Sequence, residues 1–164
     1  MNIVLIGHKS SGKTQLGKTL AKHLSRAFFD TDEHLLSTHP DYPSIAELYR
    51  DKGDAYFRDA ESNVLQNIDT QNSIIATGSG IILRANNREK LKSLGFIVYL
   101  HAPKETLTLR NQTREQQGIL SQKIDDYDYR DILYREITDI IVDASLTNSE
   151  QCELIAKELN DGVQ

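Results

Sequence analysis

Cysteine is nearly missing from this chain. Cys152 stands alone, so no internal disulfide can form, and the pattern of an exported, disulfide-stapled protein does not arise. Tryptophan is absent. Proline occurs only at positions 40, 43 and 103, which leaves most segments free to be helix or strand interior. No apolar run approaches the ~18 residues a membrane helix needs, so no membrane partner is expected. Five histidines are present, none at a metal-ligand spacing with cysteine. Positive charge is also in short supply: 19 Lys and Arg face 24 Asp and Glu, for a net charge of −5. That balance argues against a nucleic-acid surface, yet a few local cations suffice to bind a small anion. The first strand is expected from residue 2, leaving no stretch for a signal peptide. These absences together predict a cytoplasmic protein. A length of 164 residues suits one domain, able to bury about two thirds of its unfolded surface.

What is present begins with Gly7-His8-Lys9-Ser10-Ser11-Gly12-Lys13-Thr14. The spacing is that of a phosphate-binding P-loop: glycine, four residues, then Gly-Lys-Thr. An apolar run, Asn2 to Ile6, precedes it, and a helical pattern at Leu16, Leu20, Ala21 and Leu24 follows. Strand, tight loop and helix is the context the motif requires. Gly7 and Gly12 permit a backbone path and a close approach that side chains would obstruct. The loop amides meet a helix N-terminus, whose dipole favours anions. Lys13 supplies a cation for the outer phosphates, and the Thr14 hydroxyl is a magnesium ligand. The motif therefore predicts nucleotide binding.

The rest of the chain alternates strands and helices. Ala27-Phe28-Phe29 ends at Asp30-Thr31-Asp32, and 33–38 reads as a helix start. Two prolines make 39–43 a turn. Ser44 to Glu47 has capping-box spacing, and helical spacing continues to Leu65 with a break at Gly53. Ser73 to Thr77 is a buried-strand run ending at Gly78-Ser79-Gly80. A helix over 87–94 is closed by Gly95, expected as a C-cap. Phe96 to Leu100 is a strand, and the helix after Pro103 is expected to run to about Arg110. Residues 111–125 lack periodicity and read as a flexible loop. A helix over 126–137, a strand over 139–143 and a terminal helix near 149–160 complete the chain. Five apolar strands alternating with helices predict a parallel sheet covered on both faces, an α/β fold with ligands at the carboxyl ends of the strands. The clusters at 7–14, 30–32 and 78–80 all fall there.

Asp30 and Asp32 flank one residue at a strand end. Beside a P-loop such carboxylates serve the magnesium shell or accept a hydroxyl proton; equally, one of them can cap the following helix. Phe57 and Glu61 are spaced i and i+4, and Arg58 and Glu61 i and i+3, so they share one side of a helix. An arginine held by a carboxylate is ready to grip an anion; the plainer alternative is a surface ion pair worth a few tenths of a kcal/mol. Gly78-Ser79-Gly80 either admits a small ligand to bare backbone or is an ordinary turn.

The ordered set resembles shikimate kinase along nearly the whole chain. That family has a P-loop, an Asp-x-Asp, a Phe-Arg-x-x-Glu, a triple glycine, a late Arg ahead of a Leu-Tyr pair, and a closing Val-Asp strand. Here these positions are Gly7–Thr14, Asp30-Thr31-Asp32, Phe57-Arg58-Asp59-Ala60-Glu61, Gly78-Ser79-Gly80, Arg130-Asp131-Ile132-Leu133-Tyr134 and Val142-Asp143. The resemblance implies a three-layer α/β/α P-loop kinase fold with a five-stranded parallel sheet. It implies an acceptor-binding region at about 31–62 and a mobile lid at about 111–125 that orders with nucleotide. The reaction implied is transfer of the ATP γ-phosphoryl to the 3-hydroxyl of shikimate by a monomer, with ATP and Mg2+. Gly7, Ser10, Ser11, Gly12, Lys13, Thr14 and Gln15 would hold the nucleotide, with Arg110 against the adenine and Gln117 from the lid. Asp32, Arg58, Gly78, Ser79, Gly80 and Arg130 would hold shikimate. Thr14 would ligate magnesium directly and Asp30 through water, and Lys13, Asp32 and Arg58 would be the catalytic residues.

Three positions depart from the family pattern. Its lid carries Arg-Pro-Leu-Leu, whose Arg reaches the transferred phosphate; here the stretch is Gln117-Gly118-Ile119-Leu120. Losing such an arginine costs on the order of a thousandfold in rate, and Arg114 is a candidate replacement. Ser79 stands for the middle glycine, and Asp131 places a carboxylate beside Arg130. Lys9, inside the loop, is either solvated or a second phosphate cation. The alternatives to a working shikimate kinase are a kinase for another small hydroxylated acid and a nucleotide-binding protein with little activity.

Overall fold

The computed structural model describes residues 1–117 and 126–162. Its five strands are β1 (Asn2–Ile6), β2 (Ala27–Asp30), β3 (Ser73–Ala76), β4 (Gly95–His101) and β5 (Ile140–Asp143). All four pairings are parallel, in the order β2-β3-β1-β4-β5. β1 lies in the middle, with Ile3 opposite Ile74 on one side and Phe96 on the other. Every residue of β1 is buried, so its apolar run is continuous, as a strand covered on both faces requires. Alternate residues still face opposite layers.

The helices are α1 (Lys13–His23), α2 (Thr31–Ser37), α3 (Ile45–Lys52), α4 (Asp54–Gln66), α5 (Ala85–Leu94), α6 (Lys104–Gln116), α7 (Tyr127–Ile137) and α8 (Asn148–Asp161), with a 3-10 turn at Ser79–Leu83. Ile3 and Leu5 pack with Leu16 and Leu20 of α1, Leu107 of α6 and Ile155 of α8. Val4 and Ile6 pack with Leu65 of α4, Leu91 of α5 and Tyr134 of α7. A third, smaller cluster of Leu35, Leu48 and Phe57 joins α2, α3 and α4 beside the sheet. The architecture is therefore the three-layer α/β/α arrangement expected.

Two expectations about elements need correction. Residues 111–116 are not loop: α6 continues through Gln116. Only Leu107 and Asn111 of this helix are buried, so most of it is polar all round and carries no hydrophobic period to read. The remainder of the expected lid, 118–125, lies outside the described residues. Gly95 does close α5, but with φ 160° it has no left-handed cap geometry. It is the first residue of β4, and a Cβ there would stand 2.9 Å from the Asn2 nitrogen.

Candidate active site

The P-loop connects β1 to α1. Gly7 and Gly12 have φ of 148° and 99°, values side chains resist. Ser10 shares the left-handed region at φ 66°, and its Oγ donates to Oδ1 of Asn111 on α6. Lys13 is folded onto the loop, its Nζ donating to the Gly7 and His8 carbonyls, each at 2.8 Å. Burial lowers its pKa to about 8, with Asp32 and Asp30 pulling the other way. Lys9 is also lowered to about 8, by burial and by the charge of Arg114.

Asp30 ends β2 and has two attachments. Oδ1 accepts from the Asp32 and Glu33 amides, capping α2. Oδ2 accepts from the Thr14 hydroxyl at 2.7 Å. The capping reading of this carboxylate thus holds, and its other oxygen faces the P-loop threonine. Thr31 Oγ1 accepts from the Gly78 amide at 3.0 Å, joining the ends of β2 and β3. Asp32 then faces the cleft. Burial and the neighbouring Asp30 push its carboxyl up to about 6, against Lys13, Lys9 and Arg58.

Arg58 is not in a surface pair. Its Nη1 donates to Glu61 Oε2 at 2.9 Å, with side-chain exposures of 11% and 2%. Nε lies 3.5 Å from Asp54 Oδ1, and the guanidinium sits over the Phe57 and Tyr49 rings. Burial raises the Glu61 carboxyl while Arg58 draws it back.

The glycines after β3 make room for these charged groups. A Cβ on Gly78 would stand 2.6 Å from Asp32 Oδ1 and 2.8 Å from Glu61 Oε1, and one on Gly80 would overlap the Arg58 guanidinium. Ser79 is directed elsewhere, its Oγ 3.5 Å from Arg130 Nη1. The middle position thus carries a side chain without invading the space the outer two keep clear.

A cavity of about 470 Å³ at the carboxyl edge of the sheet collects these groups. Lys9, Ser10, Gly12, Lys13, Thr14, Gln15 and Asp30 line it, and so do Asp32, Arg58, Glu61, Gly78, Ser79 and Gly80. Gly7 and Ser11 lie behind it, buried in the loop. Arg130 is not on the wall but behind Ser79. Asp131 beside it faces away, accepting from Tyr99 Oη and Arg135 Nε. Arg110 borders an adjoining cavity of about 400 Å³ with Ser10, Gly12, Leu109, Thr113 and Arg114. Its guanidinium donates to the Ser10 and Ala144 carbonyls. Gln117 is exposed just past α6.

Several wall residues escaped sequence reasoning. Thr77, whose hydroxyl bonds the Leu5 carbonyl, and Ser44, Ile45 and Ala46 at the start of α3 all line the cavity. Ser44 was legible only as a cap, and its Oγ does accept from the Glu47 amide. His8 is 2% exposed, stacked on Tyr127 and edge-on to Tyr134. Burial, helped by Lys13 and Arg130, lowers its pKa to about 4. Tyr134 Oη donates to the Ser79 carbonyl at 2.5 Å, so this tyrosine supports the turn that forms the wall. Tyr129, by contrast, is exposed.

Comparison with known proteins matches these features. Residues 9–160 match the family model for shikimate kinase. A shikimate kinase 2 of Escherichia fergusonii is 36% identical, over 87% of this chain and 83% of its own length. A shikimate kinase of Dechloromonas aromatica is 34% identical, over 97% and 90%. The solved structure of an Acinetobacter baumannii shikimate kinase in complex with shikimate superposes with a TM-score of 0.86. It is 29% identical and covers 98% of this chain and 93% of its own. A P-loop facing a carboxylate and a buried arginine across one cavity is what such a kinase needs, and the chain belongs to the shikimate kinase family.

Proposed function

We propose that the protein transfers the γ-phosphoryl group of ATP to the 3-hydroxyl of shikimate, giving shikimate 3-phosphate for aromatic biosynthesis. The observation that carries this reading is the shared cavity. Phosphate-binding groups of the P-loop and acceptor-facing groups of α2, α4 and the 78–80 turn, a carboxylate and an arginine among them, line one space of about 470 Å³. Phosphoryl transfer asks mainly for such alignment and for charge neutralisation. On this reading the chain works as one kinase domain over 1–164, with acceptor binding at about 31–62.

The roles follow from position. The P-loop amides, Ser10, Ser11 and Gln15 hold the phosphates, and Lys13 leaves the loop carbonyls to neutralise them. Arg110, Leu109 and Thr113 border the cavity that suits the adenine. Asp32 orients the accepting hydroxyl and takes its proton; its raised pKa brings it nearer the range of a general base. Arg58, held by Glu61, grips the acceptor carboxylate, and Arg130 joins it by moving past Ser79. Gln117, just past α6, closes over the nucleotide from the lid side.

The residues present suit magnesium. Thr14 Oγ1 and Asp30 Oδ2 are hard oxygen donors 2.7 Å apart at the foot of the P-loop. Mg2+ in kinases takes few protein ligands, the rest being phosphate and water; accordingly, no group of three or more acidic, His or Cys ligands occurs among the described residues. Thr14 would bind it directly and Asp30 through water. When bound, the ion would offset the negative charge of the phosphates. On this reading the protein acts as a monomer. No helix among the described residues is long and apolar enough to cross a membrane, consistent with action in the cytoplasm.

A coupled assay for ADP release with ATP, Mg2+ and shikimate tests the reading. Shikimate-dependent ADP is expected. ATP binding without it would leave a nucleotide-binding protein of little activity, and release with a different hydroxy acid would reassign the acceptor.

A further inference from the structure

The phosphate end of the cavity holds more positive charge than the P-loop motif supplies. Lys9 and Arg114 both line it, together with Lys13 and Thr14. None of the three cations forms an ion pair among the described residues. Two carboxylates face them: Asp30 is engaged by Thr14 and two amides, and the single charge of Asp32 is shared among Lys13, Lys9 and Arg58.

Arg114 owes its position to the helix. Asn111 of α6 accepts from Ser10 Oγ, and Arg110 donates to the Ser10 carbonyl at 3.1 Å and the Ser11 carbonyl at 3.4 Å. α6 is thus tied to the P-loop at two residues. Arg114 follows them at i+3 and i+4, on the same helix face and one turn further on. It borders both the main cavity and the adjoining one. Its side chain therefore stands where the phosphate end meets the base end, carried by an element the loop itself anchors. Lys9 belongs to the loop and approaches the same space.

Converging like charges disfavour one another unless a polyanion joins them. Resting on the reading of the site as an ATP-dependent kinase, we propose that Lys9 and Arg114 contact the terminal phosphate of ATP. With Lys13 they complete a three-cation cradle that neutralises the transferred group. Charge in this reaction spreads over the γ-phosphoryl oxygens, so these contacts act on ATP and on the transition state, not on ADP. The lid position Gln117 then needs no arginine, because the cation arrives from the last turn of α6.

The variants Lys9→Met, Arg114→Met and Arg114→Lys test this. Binding of ATP and ADP is measured for each by titration calorimetry, alongside kcat at saturating substrates and a thermal midpoint. Each methionine variant is expected to weaken ATP roughly 10- to 100-fold, as the loss of a charged contact does. ADP affinity should stay within about twofold, and kcat should fall at least 100-fold for Arg114→Met, in line with an arginine finger. Arg114→Lys should recover part of both, which a purely structural role would not give. Unchanged ATP-over-ADP preference in both methionine variants overturns the proposal, as does equal loss for the two nucleotides. Should the unaltered protein fail to phosphorylate shikimate, the binding preference still decides the cradle, so the two failures are told apart.

Discussion

Replacing Gly80 by alanine adds one methyl group and should disable acceptor binding while sparing ATP. The added carbon would stand 2.6 Å from Arg58 Nη2 and nearer still to Nη1 and Cζ. Arg58 has no easy retreat. Glu61 holds it at 2.9 Å, Asp54 lies at 3.5 Å, and two rings pack against the guanidinium. Either the pair with Glu61 opens or the 3-10 turn shifts. Overpacking of this kind costs about 1–3 kcal/mol, whereas deleting one partner of a buried pair costs about 3–5 kcal/mol. In a chain of this size the smaller figure lowers Tm by roughly 2–12 °C. On the role proposed for Arg58, a displaced guanidinium would also forfeit its bond to the acceptor carboxylate, worth about 1.5–3 kcal/mol. The acceptor KM should therefore rise roughly 10- to 150-fold at saturating ATP. ATP affinity, set at the other end of the cavity, should change less than about twofold. The coupled ADP assay gives KM, calorimetry gives ATP binding, and a melting curve gives Tm. A variant with unaltered acceptor KM and unaltered Tm would refute the packing argument outright. Gly78→Ala sharpens the contrast: its methyl meets Asp32 and Glu61 instead, so kcat should fall with it.

Further outcomes are expected. Lys13→Ala and Asp32→Ala should each remove at least 99% of turnover in the ADP assay, because charge neutralisation and proton acceptance are lost. The Asp32 carboxyl is raised to about 6, so its charge costs stability at neutral pH; Asp32→Ala should melt no lower than the unaltered protein at pH 7. For the same reason kcat/KM for the acceptor should rise with pH through an apparent pKa near 6, read from initial rates between pH 5 and 8. His8 is buried neutral, its pKa lowered from 6.5 to about 4. Its contribution is fully present above pH 6.5 and lost as pH falls toward 4, up to about 3 kcal/mol. Denaturant melts of His8→Phe should accordingly lose less stability between pH 6.5 and 4 than the unaltered protein does. Tyr134→Phe should cost about 1–3 kcal/mol in the same melts, since the buried Ser79 carbonyl loses its donor.

The sequence made the nucleotide end plain because the P-loop is a local signal: one run of residues, with strand before and helix after. The strands were equally legible, since burial on both faces produces unbroken apolar runs such as Ile3 to Ile6. The acceptor end was legible only as an ordered set of weak pieces. Its geometry depends on which residues meet across elements. Thr31 reaching Gly78, and Arg58 packing over Gly80, have no spacing that reveals them. The end of α6 beyond Arg110 is invisible to hydrophobic periodicity, which reports burial, because this helix is anchored through polar contacts to Ser10 and Ser11. Adjacency in sequence is no guide to contact for Asp131 and Arg130 either: Asp131 is occupied by Tyr99 and Arg135, while Arg130 lies behind Ser79.

The central place of β1 bears on how the protein is made. Of the five strands this one is synthesised first, yet both of its neighbours arrive much later. Ile3 pairs with Ile74 and Phe96, about seventy and ninety positions downstream, and such distant pairings close slowly. During that interval Ile3-Val4-Leu5-Ile6 has no sheet to enter, and its apolar surface is open to other chains. The loop that follows it meets Asn111 only after two thirds of the chain exist. A nascent chain should thus acquire its grip on ATP late and all at once. Added nucleotide would protect the finished enzyme against proteases while doing nothing for the half-made one.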